Sequence, residues 1–299
     1  ARHWTDGEPE FVRNFGNLVY RLRHAPHPRY LRITSASRRS MAQLKSELEI
    51  VHYLVAQGVS AAQPVPSHTG ELLHQTEFDN LTYFGCVFEQ APGIFFHRDA
   101  INQERFFRAA GETMGLLHQT LKKFDRPRDF ERFHWEADRW CDFEKCVPRH
   151  ETAAWKLYQE LRSWLAREST DPSLFGLVHG DFTINNLRIQ DGAIAVFDFD
   201  SCCEHWYAYE IAAFLHYFGG QDDETRRLAY CSVLDGYART GSLTAEMLGQ
   251  IPPFGKMRLL FSFLVFAQEW GFHELSPQQE TYFALRRRLF QAPPTWAAQ

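Results

Sequence analysis

The sequence predicts an α+β chain of two unequal lobes: a small antiparallel-sheet lobe with one helix, then a larger helical lobe. Three observations carry this. The first 90 residues read strand, strand, helix, strand, strand. After Ala91-Pro92-Gly93 the apolar spacing turns almost wholly helical. One β segment, Leu177 to Asp200, interrupts the helices. The 299 residues suit about two domains of roughly 150 residues. The expected division is 1–91 and 92–299, with a joint near 89–94.

Each element has its own signal. Residues 11–34 read as strands, with Leu18, Tyr20 and Leu22 alternating with Val19, Arg21 and Arg23. A Pro-containing turn, His24–Pro28, precedes a run from Tyr30 to Thr34. Ser40 is a helix cap; Leu44, Leu48, Val51, Leu54 and Val55 recur at helical spacing, and Gly58 ends the helix. Pro64 and Pro66 enforce an extended stretch. Strands are expected near Glu71–Gln75 and Thr82–Gln90. Helices are expected at 102–122, 151–168, 206–217, 223–240, 244–249, 255–269 and 277–290.

Composition narrows the function. A 44% apolar and 23% charged chain is globular, not disordered. Lys and Arg number 32 against 37 Asp and Glu, so no whole-chain basic footprint for nucleic acid exists. No run approaches the roughly 20 apolar residues of a membrane helix; the longest, Leu259 to Ala267, contains Ser262. Residues 1–10 are polar and mixed in charge, unlike a secretory leader. Six Cys without a C-x-x-C pattern are too dilute for a disulfide scaffold, so reduced thiols in a cytoplasm are expected.

The chemistry concentrates in 177–200. Asp191-Gly192 is a two-residue hairpin signal between Leu187–Gln190 and Ala193–Phe197. With Gln190 opposite Ala193, Asn186 and Asp198 come to the same open mouth, about 5–8 Å apart. An amide and a carboxylate so placed hold a hard cation through oxygen. Mg²⁺ suits, since it takes one or two protein ligands and completes its shell with water and phosphate. Asp181, on the entering loop, can orient a hydroxyl and accept its proton during phosphoryl transfer. Asp and Asn also populate turns for local reasons, but turn preference alone does not bring all three into one spacing.

His179-Gly180-Asp181-x-x-x-x-Asn186 followed by Val196-Phe197-Asp198 resembles the aminoglycoside phosphotransferase/choline kinase superfamily. The resemblance covers most of residues 11–290 and implies a protein-kinase-like fold that binds ATP and Mg²⁺ between its lobes. It makes Asp181 the catalytic base and Asn186 and Asp198 the metal ligands. Arg32, in Tyr30-Leu31-Arg32-Ile33, stands where the family has a strand lysine. Glu47, on the apolar face of the first helix, is its partner, whereas Glu49 points away. Gly16 and Asn17, in Phe15-Gly16-Asn17-Leu18, resemble the nucleotide-covering turn. Phe88-Glu89-Gln90-Ala91-Pro92-Gly93 resembles the hinge, where Glu89 and Ala91 would meet adenine. The implied acceptor is a hydroxyl of a small molecule of the aminoglycoside, choline or amino-alcohol kind.

Alternatives remain open at this level. A Ser/Thr protein kinase shares the superfamily, but Gly180 replaces the Arg that reads a phosphorylated loop, and about ten residues separate Asp198 from the next helix. A non-catalytic nucleotide-binding module is favoured only by Arg32 in place of lysine. His179, Asp181 and His205 lack a third well-placed nitrogen ligand for a metallohydrolase. Glu210 stands where the family usually has Asp. Asp200 reads as loop support. Of 45 aromatics, or 15% of the chain, Trp206, Tyr207, Tyr209, Trp270, Phe272 and Tyr282 are candidates for a cage around a cationic acceptor.

Overall fold

The computed structural model describes residues 3–4, 8–23, 28–97, 102–137 and 142–293. Residues 24–27 of the expected His24–Pro28 turn, and Cys141, lie outside these. The other five cysteines are free.

Six antiparallel strands form the N-terminal sheet: β1 (Pro9–Phe15), β2 (Asn17–Leu22), β3 (Arg29–Ser35), β4 (Pro64–Val65), β5 (His74–Phe78) and β6 (Leu81–Glu89). Their order is β1-β2-β3-β6-β4, with β5 also on β6. Trp4, Leu22, Leu31, Val65 and Val87 pack beneath it, and the Trp4 indole donates to the Val65 carbonyl at 2.8 Å. One residue, Gly16, joins β1 to β2. Its φ of +74° is the left-handed conformation that favours glycine, and the Arg38 guanidinium lies close to where a Cβ would go. Helix α1 (Met41–Ala56) opens on a capping box: Ser40 Oγ accepts from Gln43 N, and Gln43 Oε1 accepts from Ser40 N.

β5 begins three residues later than its sequence suggests. Ser67 and Glu71 close a turn through two hydrogen bonds and use up the start of the expected strand. Asp79 and Asn80, both at positive φ, then form the two-residue turn that sets Phe78 opposite Leu81.

The remainder is helical: α2 (Gln103–Leu121), α3 (Phe143–Cys146), α4 (Thr152–Leu165), α5 (Tyr207–His216), α6 (Asp223–Thr240), α7 (Ala245–Trp270) and α8 (Pro277–Gln291). Two β pairs lie among them: β7 (Phe175–Val178) with β10 (Cys203–Trp206), and β8 (Leu187–Gln190) with β9 (Ala193–Val196). β10 and α3 have four residues each, too few for a periodic signal. The two helices expected at 244–249 and 255–269 are one, α7, which runs through Pro252 and Pro253. The prolines remove two backbone hydrogen bonds. Buried Ile251 and Phe254 hold the helix in register, the latter against Trp164 at 4.8 Å. Tertiary packing thus overrides a propensity cost of about 3 kcal/mol per proline. Among the described residues no helix is long and apolar enough to cross a membrane.

α2 and α6 cross closely because glycines face carbonyls. A Cβ on Gly111 would strike the Val233 carbonyl, and one on Gly236 the Arg108 carbonyl. Gly236→Ala is expected to cost about 1–3 kcal/mol, measured as a loss of Tm at about 2–4 °C per kcal/mol. Gly249→Ala, where a Cβ meets open space, is the control and should not lower Tm.

Candidate active site

The β8–β9 hairpin has the register its turn demands. Gln190 pairs with Ala193 and Leu187 with Val196. Asp191 and Gly192 both adopt positive φ. The ladder extends one step further, where Phe197 N donates to Asn186 O at 3.1 Å. Asn186 and Asp198 therefore flank one mouth. The Asn186 amide donates to Asp181 Oδ2 at 2.9 Å and to the Asp181 carbonyl at 3.0 Å. This directs its nitrogen at Asp181 and leaves its side-chain oxygen as an acceptor.

The loop carrying Asp181 is fixed from below. Asp181 N donates to His179 Nδ1 at 3.2 Å, so His179 Nε2 carries the proton and donates to the Phe197 carbonyl at 3.1 Å. His179 orders the loop. Gly180 has φ +80°, and a Cβ there would strike the Ser201 carbonyl. Its N–H donates to Glu210 Oε1 at 2.7 Å. Glu210 Oε2 accepts from His118 Nε2 at 2.7 Å, and the Tyr237 hydroxyl donates to His118 Nδ1 at 2.9 Å. All three side chains are buried. Burial pushes the Tyr237 phenol well up, so it stays a donor.

Two aspartates two residues apart lie in different surroundings. Asp198, at φ +67°, accepts from Arg13 Nη2 on Oδ2 at 2.7 Å and has Oδ1 3.6 Å from Arg32 Nη1. Asp200 is buried and paired with Arg38 and Arg39, while Arg132 donates to its carbonyl at 2.8 Å. Burial alone would raise its carboxyl. The charges of Arg32, Arg39 and Arg38 outweigh that and hold it well below the usual carboxylate range. Asp200 is loop support.

Arg32 donates to Glu47 through both terminal nitrogens, at 2.7 and 2.8 Å. Glu47 is fully buried and Glu49 is exposed, as the helical pattern predicts. Arg32 also lies 5.1 Å from the Phe88 ring centroid. Together they form one wall of a cleft of about 310 Å³. Val19, Tyr30, Glu89 and Ala91 line it on the sheet side, and Asn185, Arg188 and Phe197 on the hairpin side. At its inner edge Glu89 N donates to Gln63 O and Gln90 N to Pro28 O. The Ala91 N–H donates to none of the described residues. Gly16 and Asn17 do not line the cleft. Asn17 is buried, with its side-chain oxygen unpartnered among the described residues.

Sequence reasoning missed Arg13, Phe95, Arg188 and Phe197, which line the cleft, and the contact of Arg258 with Asp181. Arg258 Nη2 donates to Asp181 Oδ1 at 3.0 Å from α7. Phe197 stands within the Val196-Phe197-Asp198 motif and Arg258 follows Ile251-Pro252-Pro253-Phe254, but where each side chain ends up, as for Arg13, Phe95 and Arg188, depends on which segments pack together. The aromatic cage is corrected in part. Trp206, Tyr207 and Tyr209 are buried core; Trp206 donates to Ser169 O, and His205 stacks on Tyr209 at 3.8 Å. Trp270 and Tyr282 pack on each other at 5.5 Å and Phe272 on Phe283 at 5.0 Å. Among the described residues no three His, Cys, Asp or Glu side chains form a metal cluster, and His205 accepts from Trp206 N in the core.

A loop carboxylate, an amide and a second carboxylate gather at one hairpin mouth, and the second carboxylate, Asp198, lines the cleft together with Arg32. The model of the phosphotransferase enzyme family (APH) matches residues 9–243, and the chain belongs to that family. It is 26% identical over 295 residues to an amicoumacin kinase of Bacillus subtilis (strain 168), covering 95% of this chain and 87% of that protein. A solved amicoumacin kinase, bound to AMP-PNP and Ca²⁺, superposes with a TM-score of 0.90 at 25% identity, over 97% of this chain and 90% of the other. A microcompartment-associated aminopropanol kinase superposes with a TM-score of 0.79 at 21% identity, over 97% and 94%.

Glu210→Ala strips the acceptor from Gly180 N and His118 together. A loss of about 3 kcal/mol or more is expected, measured by urea unfolding. Stability should also depend on pH. Burial holds His205 well below its ordinary value. Burial, then the charges of Arg258 and Arg286, bring His216 down to about 3. Both stay neutral in the fold while the unfolded chain protonates them near pH 6.5. Their contribution is therefore complete above about pH 6.5 and falls as pH drops toward the folded values, by up to about 1.4 kcal/mol per unit for each. Unfolding free energies measured from pH 6.5 to 5 should show this slope, and His216→Gln should flatten it; an unchanged slope would count against the assignment.

Proposed function

We propose that the protein transfers the γ-phosphoryl group of ATP to a hydroxyl of a small molecule. The observation that carries this is the meeting of Asp181, Asn186 and Asp198 at one hairpin mouth, opposite Arg32 and Glu47. In this reading residues 1–91 and 92–299 act as two lobes with the nucleotide between them.

The strip Glu89–Ala91 meets adenine, and the Ala91 N–H is a donor suited to a ring nitrogen. Arg32, held by Glu47, presents fixed positive charge to the phosphates. Gly16 and Asn17 cover them through the backbone of the β1–β2 turn. Asn186 and Asp198 offer only oxygen, the donor set of a hard divalent cation such as Mg²⁺. When bound there, the cation supplies charge neutralisation on the phosphate oxygens. Asp181 accepts the hydroxyl proton. Each of its oxygens accepts one hydrogen bond, from Arg258 or Asn186, and keeps a further acceptor site. These contacts aim the carboxylate, and positioning is most of what phosphoryl transfer asks of a protein.

Eight residues separate Asp198 from α5, filled by a turn at Phe199–Ser201 and by β10. This supports a small acceptor over a protein, since no long activation segment fits. The amicoumacin kinase among its relatives supports a small-molecule acceptor, and the aminopropanol kinase that shares its fold makes an amino alcohol the first class to try.

The test is ADP release over amino alcohols, choline-like amines, aminoglycosides, sugars and generic protein substrates. Turnover with a small alcohol is expected; turnover with protein alone would overturn the reading. Asp181→Asn should keep AMP-PNP affinity within a few fold while kcat falls by about 10³ or more. Undiminished turnover would remove Asp181 as the base.

A further inference from the structure

We infer that Arg13 is a ligand for the β- and γ-phosphates of the nucleotide, held on Asp198 until metal and nucleotide take both partners. This rests on the phosphotransferase reading above.

The placement of Arg13 comes from a break in the β1–β2 ladder. Phe11 pairs with Tyr20, but Arg13 pairs with Val19, so β1 carries one extra residue at this point. Without the irregularity Arg13 would oppose Leu18 and its side chain would point to the other face of the sheet. With it, Arg13 pairs with Val19, and Val19 pairs with Arg32 on β3. Directly paired residues share a face. Two guanidinium groups thus stand in one row across three strands, and Arg13, Val19 and Arg32 all line the cleft. Bulges are a known means of re-aiming a side chain beside an active site.

The two arginines differ in what balances them. Arg32 is buried, and Glu47 grips it through two hydrogen bonds. It cannot leave without stranding a buried carboxylate. Arg13 is 46% exposed at the cleft lip, and among the described residues its ion-pair partner is Asp198 Oδ2, at 2.7 Å. Asp198 is also the carboxylate proposed for the metal. An oxygen that coordinates a divalent cation no longer favours a guanidinium, so Arg13 and the metal compete for Asp198. The released guanidinium needs another anion, and the phosphates that accompany the metal supply one. Arginine suits that exchange, since its planar fork binds two phosphate oxygens at once. The pair therefore keeps Asp198 compensated in the free enzyme and passes one cation to the nucleotide on binding.

The test is calorimetric titration of wild type, Arg13→Gln and Arg13→Lys with AMP-PNP plus Mg²⁺ and, separately, with adenosine. Arg13→Gln should weaken AMP-PNP by about tenfold or more and leave adenosine within about twofold. Arg13→Lys should recover part of the loss. Mn²⁺ alone, followed by electron paramagnetic resonance, should bind Arg13→Gln more tightly than wild type, and Asp198→Asn should lose that binding. Equal changes for AMP-PNP and adenosine, an unchanged AMP-PNP affinity, or no gain in Mn²⁺ affinity would overturn the inference. Wild type that fails to bind AMP-PNP would overturn the phosphotransferase reading as well; normal wild-type binding with an unaffected Arg13→Gln removes Arg13 alone.

Discussion

Everything in the cleft is arranged around one buried ion pair, Arg32 on β3 with Glu47 on α1. A carboxylate with no exposure needs a partner for its oxygens, and a buried guanidinium is just as dependent on its carboxylate. Burial works against the charge on Arg32, and Glu47, together with Cys86 and Asp200, more than reverses that. Neither side chain can move without exposing the other to an apolar surround. The pair thus fixes the separation of sheet and helix and holds a guanidinium edge toward Asp198. Such a pair contributes little net stability against an apolar alternative. Its consequence is geometric: positive charge is held where phosphates would lie, with little left to reorganise on binding.

A second set of buried polar groups serves the opposite side. Gly180 N, Glu210, His118 and Tyr237 form a chain in which each donor has its acceptor. The longer Glu210 reaches the loop backbone and His118 at once. A loop so tied presents Asp181 in one orientation, and His179 and Asn186 lock it from two further directions. Rigid support matters here because a misplaced base loses much of its effect.

Charge is distributed locally, against the overall balance. The chain is formally −5, yet among the described residues Arg13, Arg32 and Arg188 line the cleft beside two carboxylates, Asp198 and Glu89. Arg38, Arg39 and Arg132 gather on Asp200 just below it. The aromatic excess that first pointed to an acceptor cage is largely spent in the core, where Phe254 alone contacts Trp164, His205, Trp206 and Tyr209.

What the sequence determined by itself is local. Asp191-Gly192 dictated a two-residue turn, and with it the register that carries Asn186 and Asp198 to one mouth. The helical spacing of α1 turned Glu47 inward and Glu49 outward. These follow from backbone dihedrals and periodicity, which a short window contains. The tertiary structure decided what depends on distant segments meeting. An added residue in β1 put Arg13 in the row of Arg32, and α7 crossed two prolines because buried Ile251 and Phe254 anchored it. Arg258 arrived at Asp181 from 77 residues away, and packing separated Asp198 from its near twin Asp200. Side chains of the same chemistry acquire different surroundings only when the chain closes on itself, and that information lies in contacts between elements.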